Sequence, residues 1–315
     1  MSMVYNYYAF GTSDRNAILY NLRDRLSENG WAIDYDQIDT TGRLAVHVPD
    51  TQCYFTIYKN ANYANLSLGN CYPPFLITAN TGVDSGTWFA PSYPGSEPRF
   101  HTYFVITNSF CFVNNKACVL ILEGYQYYRP SYPFCFFYMF GQLNIPVEGE
   151  TQGAFLFVVP FASSNERFGL LTTGFRLYYK NSVSSSAWLV GDDSFFYGLA
   201  YRWADYWFDC YLTYPVQYDY SYGAYTRLPS LHYQPYQFGR LYLRTLLVYA
   251  QYTLDSVQYT HPIAETPFYL CEYRGIEWYN KTITYNTRKF KIFPLSGPGI
   301  NYVHNYGVAF EVGNL

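Results

Sequence analysis

The sequence predicts a mainly β protein, α+β in detail, with antiparallel sheets of β-sandwich type and one helix near the N-terminus. Three observations lead there. Apolar residues alternate with period two in many short runs. Only one stretch carries a clear helical period. Strand-favouring aromatics reach 22 %, with 39 Tyr and 25 Phe, while charged residues fall to 14 % of 315. Few charges and many rings exclude a disordered chain.

The helix begins after Thr12-Ser13-Asp14, three residues able to cap it. Ile18, Leu22 and Leu26 follow at i, i+4 and i+8, with Leu19 broadening the stripe, and Gly30 stands where a left-handed residue ends a helix. Trp31 starts an extended segment. Leu44, Val46 and Val48 alternate, as do Cys53, Phe55 and Ile57, and Pro49-Asp50 turns between them. Asn65–Leu68 and Phe75–Thr78 read as further strands. Residues 80–99 read as a loop, because Gly82, Gly86, Pro91, Pro94, Gly95 and Pro98 punctuate them.

Tyr103–Val113 and Lys116–Leu122 flank Asn114-Asn115, a pair that tolerates the positive φ of a two-residue turn. That register sets Cys111 opposite Cys118 in a hydrogen-bonded pair, too wide for a disulfide, so the two read as thiol neighbours on one face. Phe134–Phe140 is a continuous aromatic run ended by Gly141, a strand covered on both faces. Ala154–Phe161 repeats the pattern. Phe175–Lys180 reads as a strand and Asn181–Ser186 as a loop. Trp203, Tyr206, Trp207 and Tyr211 have helical spacing, but aromatics favour strands. Tyr214–Tyr225 reads as a ribbon facing a lattice and Leu241–Tyr252 as an apolar strand. Lys289–Phe293 and Tyr306–Val312 close the chain as an antiparallel pair. The organisation is residues 1–160, helix plus antiparallel β, and 161–315, aromatic-rich β, or one domain with no boundary.

The net charge is -3, without a basic cluster, so direct, sequence-specific nucleic-acid binding is not expected. The opening residues lack a basic, then apolar signal, and no apolar run approaches the ~20 residues that span a bilayer. A soluble protein with no membrane insertion is expected. The seven Cys include no CxxC, and five lie in apolar or aromatic surroundings, so reduced thiols are expected and zinc is not. His47, His101, His232, His261 and His304 are scattered, without metal-ligand spacing. Ser85 stands one place too late for a nucleophile elbow, and no phosphate loop occurs. Asp205 and Asp209 lie among Trp203, Trp207 and Tyr211, as acids do in sugar clefts. Sequence neighbours seldom oppose each other across a glycosidic bond, however. The chain is read as non-enzymatic, with no catalytic residue, cofactor or metal.

So many phenol and phenyl rings with so few charges point to extended contact surface. The interface candidates are Trp88, Phe89, Trp203, Tyr206, Trp207, Tyr220 and Tyr222, although large aromatics on a loop, as Trp88 and Phe89 are read, more often anchor it to the core.

The order of several short pieces resembles a family of uncharacterised virion structural proteins of tailed bacteriophages. A helix ends in a Gly-Trp step, Leu22–Trp31. Arg43–His47 and the aromatic strand Tyr54–Tyr58 follow. Next come the Trp-containing loop into an aromatic-His segment, Trp88–Phe104, the apolar strand Cys118–Glu123 and the step at Tyr138–Leu143. Phe290-Lys291-Ile292-Phe293-Pro294 and Asn305-Tyr306-Gly307-Val308-Ala309 lie near the end. The stretch from Tyr125 to Tyr225 departs from the pattern. The resemblance implies a tail, neck or baseplate component of the virion, assembled in the host cytoplasm. It would pack against other virion proteins as a cyclic homo-oligomer. The alternative is a receptor- or glycan-binding module of the virion.

Overall fold

The structure is a computed structural model that describes residues 3–51, 53–61, 63, 74–83, 85–89, 104–126, 129–142, 154–161, 202–203, 206–207, 209–211, 242–254, 257–272, 281–285, 287–294 and 306–314. In chain order the elements are β1 (Val4–Ala9), α1 (Arg15–Glu28), β2 (Ala32–Gln37), β3 (Arg43–His47), β4 (Tyr54–Lys59), β5 (Phe75–Gly82), β6 (Ser85–Phe89), β7 (Phe104–Val113), β8 (Ala117–Gln126) and β9 (Arg129–Gln142). There follow β10 (Ala154–Phe161), β11 (Arg202–Trp203), β12 (Tyr206–Trp207), β13 (Asp209–Tyr211), β14 (Tyr242–Leu254), β15 (Val257–Glu272), β16 (Lys281–Tyr285), β17 (Arg288–Pro294) and β18 (Tyr306–Val312). The fold is mainly β, with one helix among the described residues and predominantly antiparallel sheets.

The helix is closed at both ends by its own sequence. The Asp14 carboxylate accepts from the Ala17 N–H at 2.8 Å. At the other end Gly30 takes φ +86. Its N–H bonds the Ser27 carbonyl, and the Trp31 N–H bonds that of Leu26, the paired bonds of a left-handed helix stop. Ile18, Leu19, Leu22 and Leu26 are all fully buried.

Two sheets hold the described strands, beside a separate β11–β12 ribbon. The smaller sheet has the order β2-β3-β4-β5-β6. The larger is eleven-stranded and runs β10-β9-β8-β7-β1-β18-β15-β14-β13, with β17 joining β18 and β16 joining β17. β1 is antiparallel to β7 and parallel to β18, so it links strands from the two ends of the chain. The Asn314 carboxamide prolongs this junction by accepting from Tyr7 N–H at 2.8 Å and donating to Tyr7 O at 3.0 Å.

β7, β8 and β9 bury both faces where their side chains are described, Phe137–Phe140 of the aromatic run among them. One face carries Cys111, Val113, Cys118, Leu120, Tyr138 and Phe140. It packs with α1, Trp31 and the inner residues Leu44, Val46, Phe55, Ile57, Phe75 and Ile77 of the smaller sheet. The other face carries Phe110, Phe112 and Phe137, which meet Phe293 of β17 at 5.7–6.1 Å between ring centroids. Phe310 of β18 stacks on Phe112 at 4.5 Å, and Tyr5 of β1 meets both rings edge-on. The large sheet therefore curls through β1 and β18 until β17 covers β7–β9. A bulge at Thr107 puts Ile106, by parity on the phenylalanine face, into the helix-side core instead.

Three expectations need correction. Residues 80–99 are not all loop, because β5 and β6 pair through Gly82 and Ser85, which places Trp88 and Phe89 on a strand. The Gly residues mark the hairpin turn there. The β7–β8 register pairs Val113 with Cys118 and Cys111 with Leu120. The cause is Asn114. Its carboxamide oxygen accepts from Lys116 N–H at 2.9 Å and Ala117 N–H at 2.8 Å, so it opens the turn and does not sit at its centre. Neither Asn114 nor Asn115 takes a positive φ. The Trp203–Tyr211 stretch, by contrast, is extended wherever described, as the strand preference of its aromatics suggests, with Asp209 paired to Gln251 in β13. Gly141 does not end β9, which continues to Gln142. Asn65–Leu68, Phe175–Lys180, Asn181–Ser186 and Tyr214–Tyr225 lie outside the described residues.

Candidate interaction surface

The aromatic residues divide by type. Phe55, Phe75, Phe110, Phe112, Phe137, Phe140, Phe290 and Phe293 are at most 2 % exposed, so much of the phenylalanine excess fills the interior. Tyrosines lie more often at the rim. Tyr7, Tyr8, Tyr20, Tyr35, Tyr54, Tyr58 and Tyr269 are half-buried, and Tyr285 is 52 % exposed. A phenol buries its ring and leaves the hydroxyl near water, which accounts for the division.

Five of the sequence-predicted interface residues fall on described strands. Trp88 and Phe89 belong to β6, which ends the smaller sheet, and Phe89 pairs with Ala79. Trp203 pairs with Tyr206 and Arg202 with Trp207 in the two-stranded β11–β12 ribbon. Tyr220 and Tyr222 lie outside the described residues. Among the described strands, β6 and the ribbon end their sheets, so one backbone edge of each is left without a ladder partner there. The structure thus places the five residues on edge elements, in two separate sheets.

A further face was missed from the sequence. Register sets Tyr35, Arg43 and Tyr58 on one face of the smaller sheet, opposite Leu44, Val46, Phe55 and Ile57, around a buried centre of Ala45, Thr56 and Asn80. The Arg43 guanidinium lies 5.2 Å from the Tyr35 ring centre and 4.9 Å from that of Tyr58. Beyond the Ala45–Thr56 pair, His47 stacks on Tyr54 at 4.6 Å, and its Nδ1 lies 2.8 Å from Asp34 Oδ1. Asp34 is the extra residue of a bulge in β2, and its other oxygen is buried without a partner among the described residues. Outward alternation of Tyr35, Arg43, His47, Tyr54 and Tyr58 was readable. The bulge that turns Asp34 toward His47 was not.

Arg288 and Lys291, on the larger sheet, are both engaged. Arg288 donates from Nε to Glu311 Oε1 at 2.7 Å and from Nη2 to Glu311 Oε2 at 2.5 Å, and also to the Tyr269 hydroxyl at 2.7 Å. Those bonds to Glu311 raise the Arg288 pKa above its ordinary value. Lys291 lies 4.7 Å from the Tyr7 ring centre, and burial lowers its pKa.

Cys53, Cys111 and Cys118 are free and buried. Cys111 and Cys118 occupy diagonal positions across β7 and β8, with Sγ atoms 3.9 Å apart. They are neighbours on one face, as expected, though by a different register. Burial pushes the Cys118 thiol well up, and the Cys53 thiol to about 12. Such thiols are inert at neutral pH. No group of three His, Cys, Asp or Glu able to hold a metal occurs among the described residues. No helix among them is long and apolar enough to cross a membrane.

No family model, curated protein or solved structure matches the chain.

Proposed function

We propose that this protein is a non-enzymatic structural component of a tailed-phage virion, at the tail, neck or baseplate, and that it works by packing against other virion proteins. The observation that carries the reading is the placement of Trp88, Phe89, Trp203, Tyr206 and Trp207 on strands that end their sheets. An edge strand offers main-chain hydrogen bonds to a partner, and large aromatics beside it supply the buried area that dominates interface energy. A chain with 39 Tyr and only 14 % charged residues suits that mode of contact. Copies arranged about a cyclic axis complete the reading. The experiment is a cryo-EM reconstruction of the purified particle: density for the chain in a ring, with β6 or the β11–β12 ribbon against a neighbour, is expected. Absence of the chain from washed particles overturns the proposal.

A second reading has its own observation. The outer face bearing Tyr35, Arg43, His47, Tyr54 and Tyr58 offers rings and polar groups of the kind that hold saccharides. It would make the protein a receptor- or glycan-binding module of the virion. A glycan array probed with the isolated protein separates the two, and an array without any bound glycan removes this one.

A further inference from the structure

Beside the start of α1 lies a cavity of about 410 Å³ whose lining is more polar than apolar. Two cations reach it from different elements, Arg15 from α1 and Lys59 from the end of β4. The helix's other arginines are neutralised: Arg23 meets Asp24 and Asp36, and Arg25 meets Glu28. Neither Arg15 nor Lys59 has a carboxylate partner among the described residues.

Both cations are held in place. Arg15 Nη1 donates to the Asn60 carbonyl at 2.7 Å and the Pro74 carbonyl at 3.3 Å. Its guanidinium lies 4.7 Å from the Tyr63 ring centre. Lys59 donates to Asn16 Oδ1 at 2.5 Å. Its stem crosses Gly42, where an added Cβ would stand 2.3 Å from Lys59 Cε. Fixing these long side chains in the fold spares a ligand much of the cost of ordering them.

We propose that this cavity binds a ligand through a carboxylate group. With Nη1 occupied by main-chain carbonyls, the guanidinium keeps its Nε–H and Nη2–H pair, the fork that a carboxylate accepts with both oxygens. Lys59 adds a point charge with two further donors. The third charged group of the lining is the Asp14 carboxylate, which caps the helix through the Ala17 N–H. Two positive charges against one negative suit a monoanion better than a phosphate monoester. The helix end, already capped by Asp14, is not what attracts the ligand. The volume exceeds a bare carboxylate, so the body of the ligand lies along Tyr63 and Ile106. This site stands apart from the edge strands proposed for packing, and neither reading depends on the other.

The test is titration of the full chain with benzoate, benzyl alcohol and inorganic phosphate, followed by calorimetry and by the Arg Nε and Lys Nζ resonances. Saturable benzoate binding that moves the Arg15 and Lys59 signals is expected, with benzyl alcohol inert and phosphate weaker. Lys59→Gln and Arg15→Lys should each weaken benzoate roughly tenfold, the scale of one charge-assisted bond. Lys116→Gln, in an exposed turn, should leave binding unchanged. Because Arg15→Lys also loosens the chain around Asn60 and Pro74, Lys59→Gln decides if that variant unfolds. Absence of saturable benzoate binding, binding that Lys59→Gln leaves intact, or phosphate binding tighter than benzoate each overturns the proposal.

Discussion

The Phe293 ring of β17 meets the Phe137 ring of β9 edge-on, 6.1 Å between centroids, although four strands separate them along the sheet. Only a sheet that curls through β1 and β18 brings the two rings together. The contact joins residues from both parts of the chain into one aromatic core with Phe110, Phe112, Phe310 and Tyr5. Phe293→Ala should therefore cost about 3–5 kcal/mol, the range for deleting a buried ring. Urea unfolding followed by fluorescence and far-UV CD is the check, and the two signals should shift together. A change under 1 kcal/mol would mean that β17 does not cover β9.

Gly141 provides a sharper steric test. Its φ is +145, and a Cβ there would stand 2.2 Å from the Lys116 carbonyl oxygen and 2.7 Å from Ala117 Cα. Both obstacles are backbone, so neither can move without breaking the β8–β9 pairing. Gly141→Ala should lose upwards of roughly 2 kcal/mol, as strained positions with clashes do. A melting temperature equal to that of the wild type would refute this conformation.

The Arg288–Glu311 fork ties the start of β17 to β18. Glu311 is 9 % exposed on its side chain and Arg288 40 %. Replacing Arg288 by Met removes two bonds to a carboxylate that stays largely buried. About 1.5–3 kcal/mol should be lost, far more than for an exposed pair. Denaturant midpoints of Arg288→Met and Arg25→Met compare the two directly, since Arg25–Glu28 is an exposed pair on α1.

Acid sensitivity has a local source at Asp36. Burial pushes its carboxyl up, but the Arg23 hydrogen bond and charge and the Ile38 N–H together bring it below the ordinary value. A carboxyl held lower in the folded state binds fewer protons there than in the unfolded chain. Its contribution is therefore present above the unfolded value of about 3.9 and is lost as pH falls through the folded one. Arg23→Gln should lower stability by up to about 1 kcal/mol at neutral pH, with the difference shrinking below about pH 4. A difference that grows on acidification would contradict the assignment.

The buried thiols give a chemical test. Cys53, Cys111 and Cys118 are inaccessible, with Cys53 and Cys118 disfavoured as thiolates. Iodoacetamide at neutral pH should leave all three unmodified in the native protein and label them in urea. Peptide mass mapping after each treatment reports the result. Rapid native labelling of Cys111 or Cys118 would place the β7–β8 hairpin outside the core.

Local signals were legible where one residue type suffices to set the geometry. Asp14 and Gly30 bound the helix as read, and the Leu44–Val48 and Cys53–Ile57 runs pair with a left-handed Asp50 between them. The closing antiparallel strands are present, with Lys289 opposite Val312. What failed depends on side chains that compete with the ladder or on distant partners. Asn114 has two readings from sequence, turn centre or turn opener, and its bonds to the Lys116 and Ala117 N–H groups decide for the second. The bulges at Asp34 and Thr107 add a residue without altering composition. The parallel β1–β18 contact joins residues some 300 apart, beyond any local pattern. The place of Trp88 on a strand that ends the smaller sheet was not readable, because strand order is a property of the whole sheet.

Side-chain changes on the edge elements test the packing role. Trp88→Asp and Trp207→Asp should sharply reduce the recovery of the protein in particles, and melting of each isolated variant shows that the loss is not one of folding. Quantitative mass spectrometry of washed virions carrying wild-type or Trp207→Asp protein is the most direct measurement. The packing account expects wild-type chain at a fixed, multiple copy number and the variant largely missing. Equal amounts of both, or neither chain present above background, would contradict it.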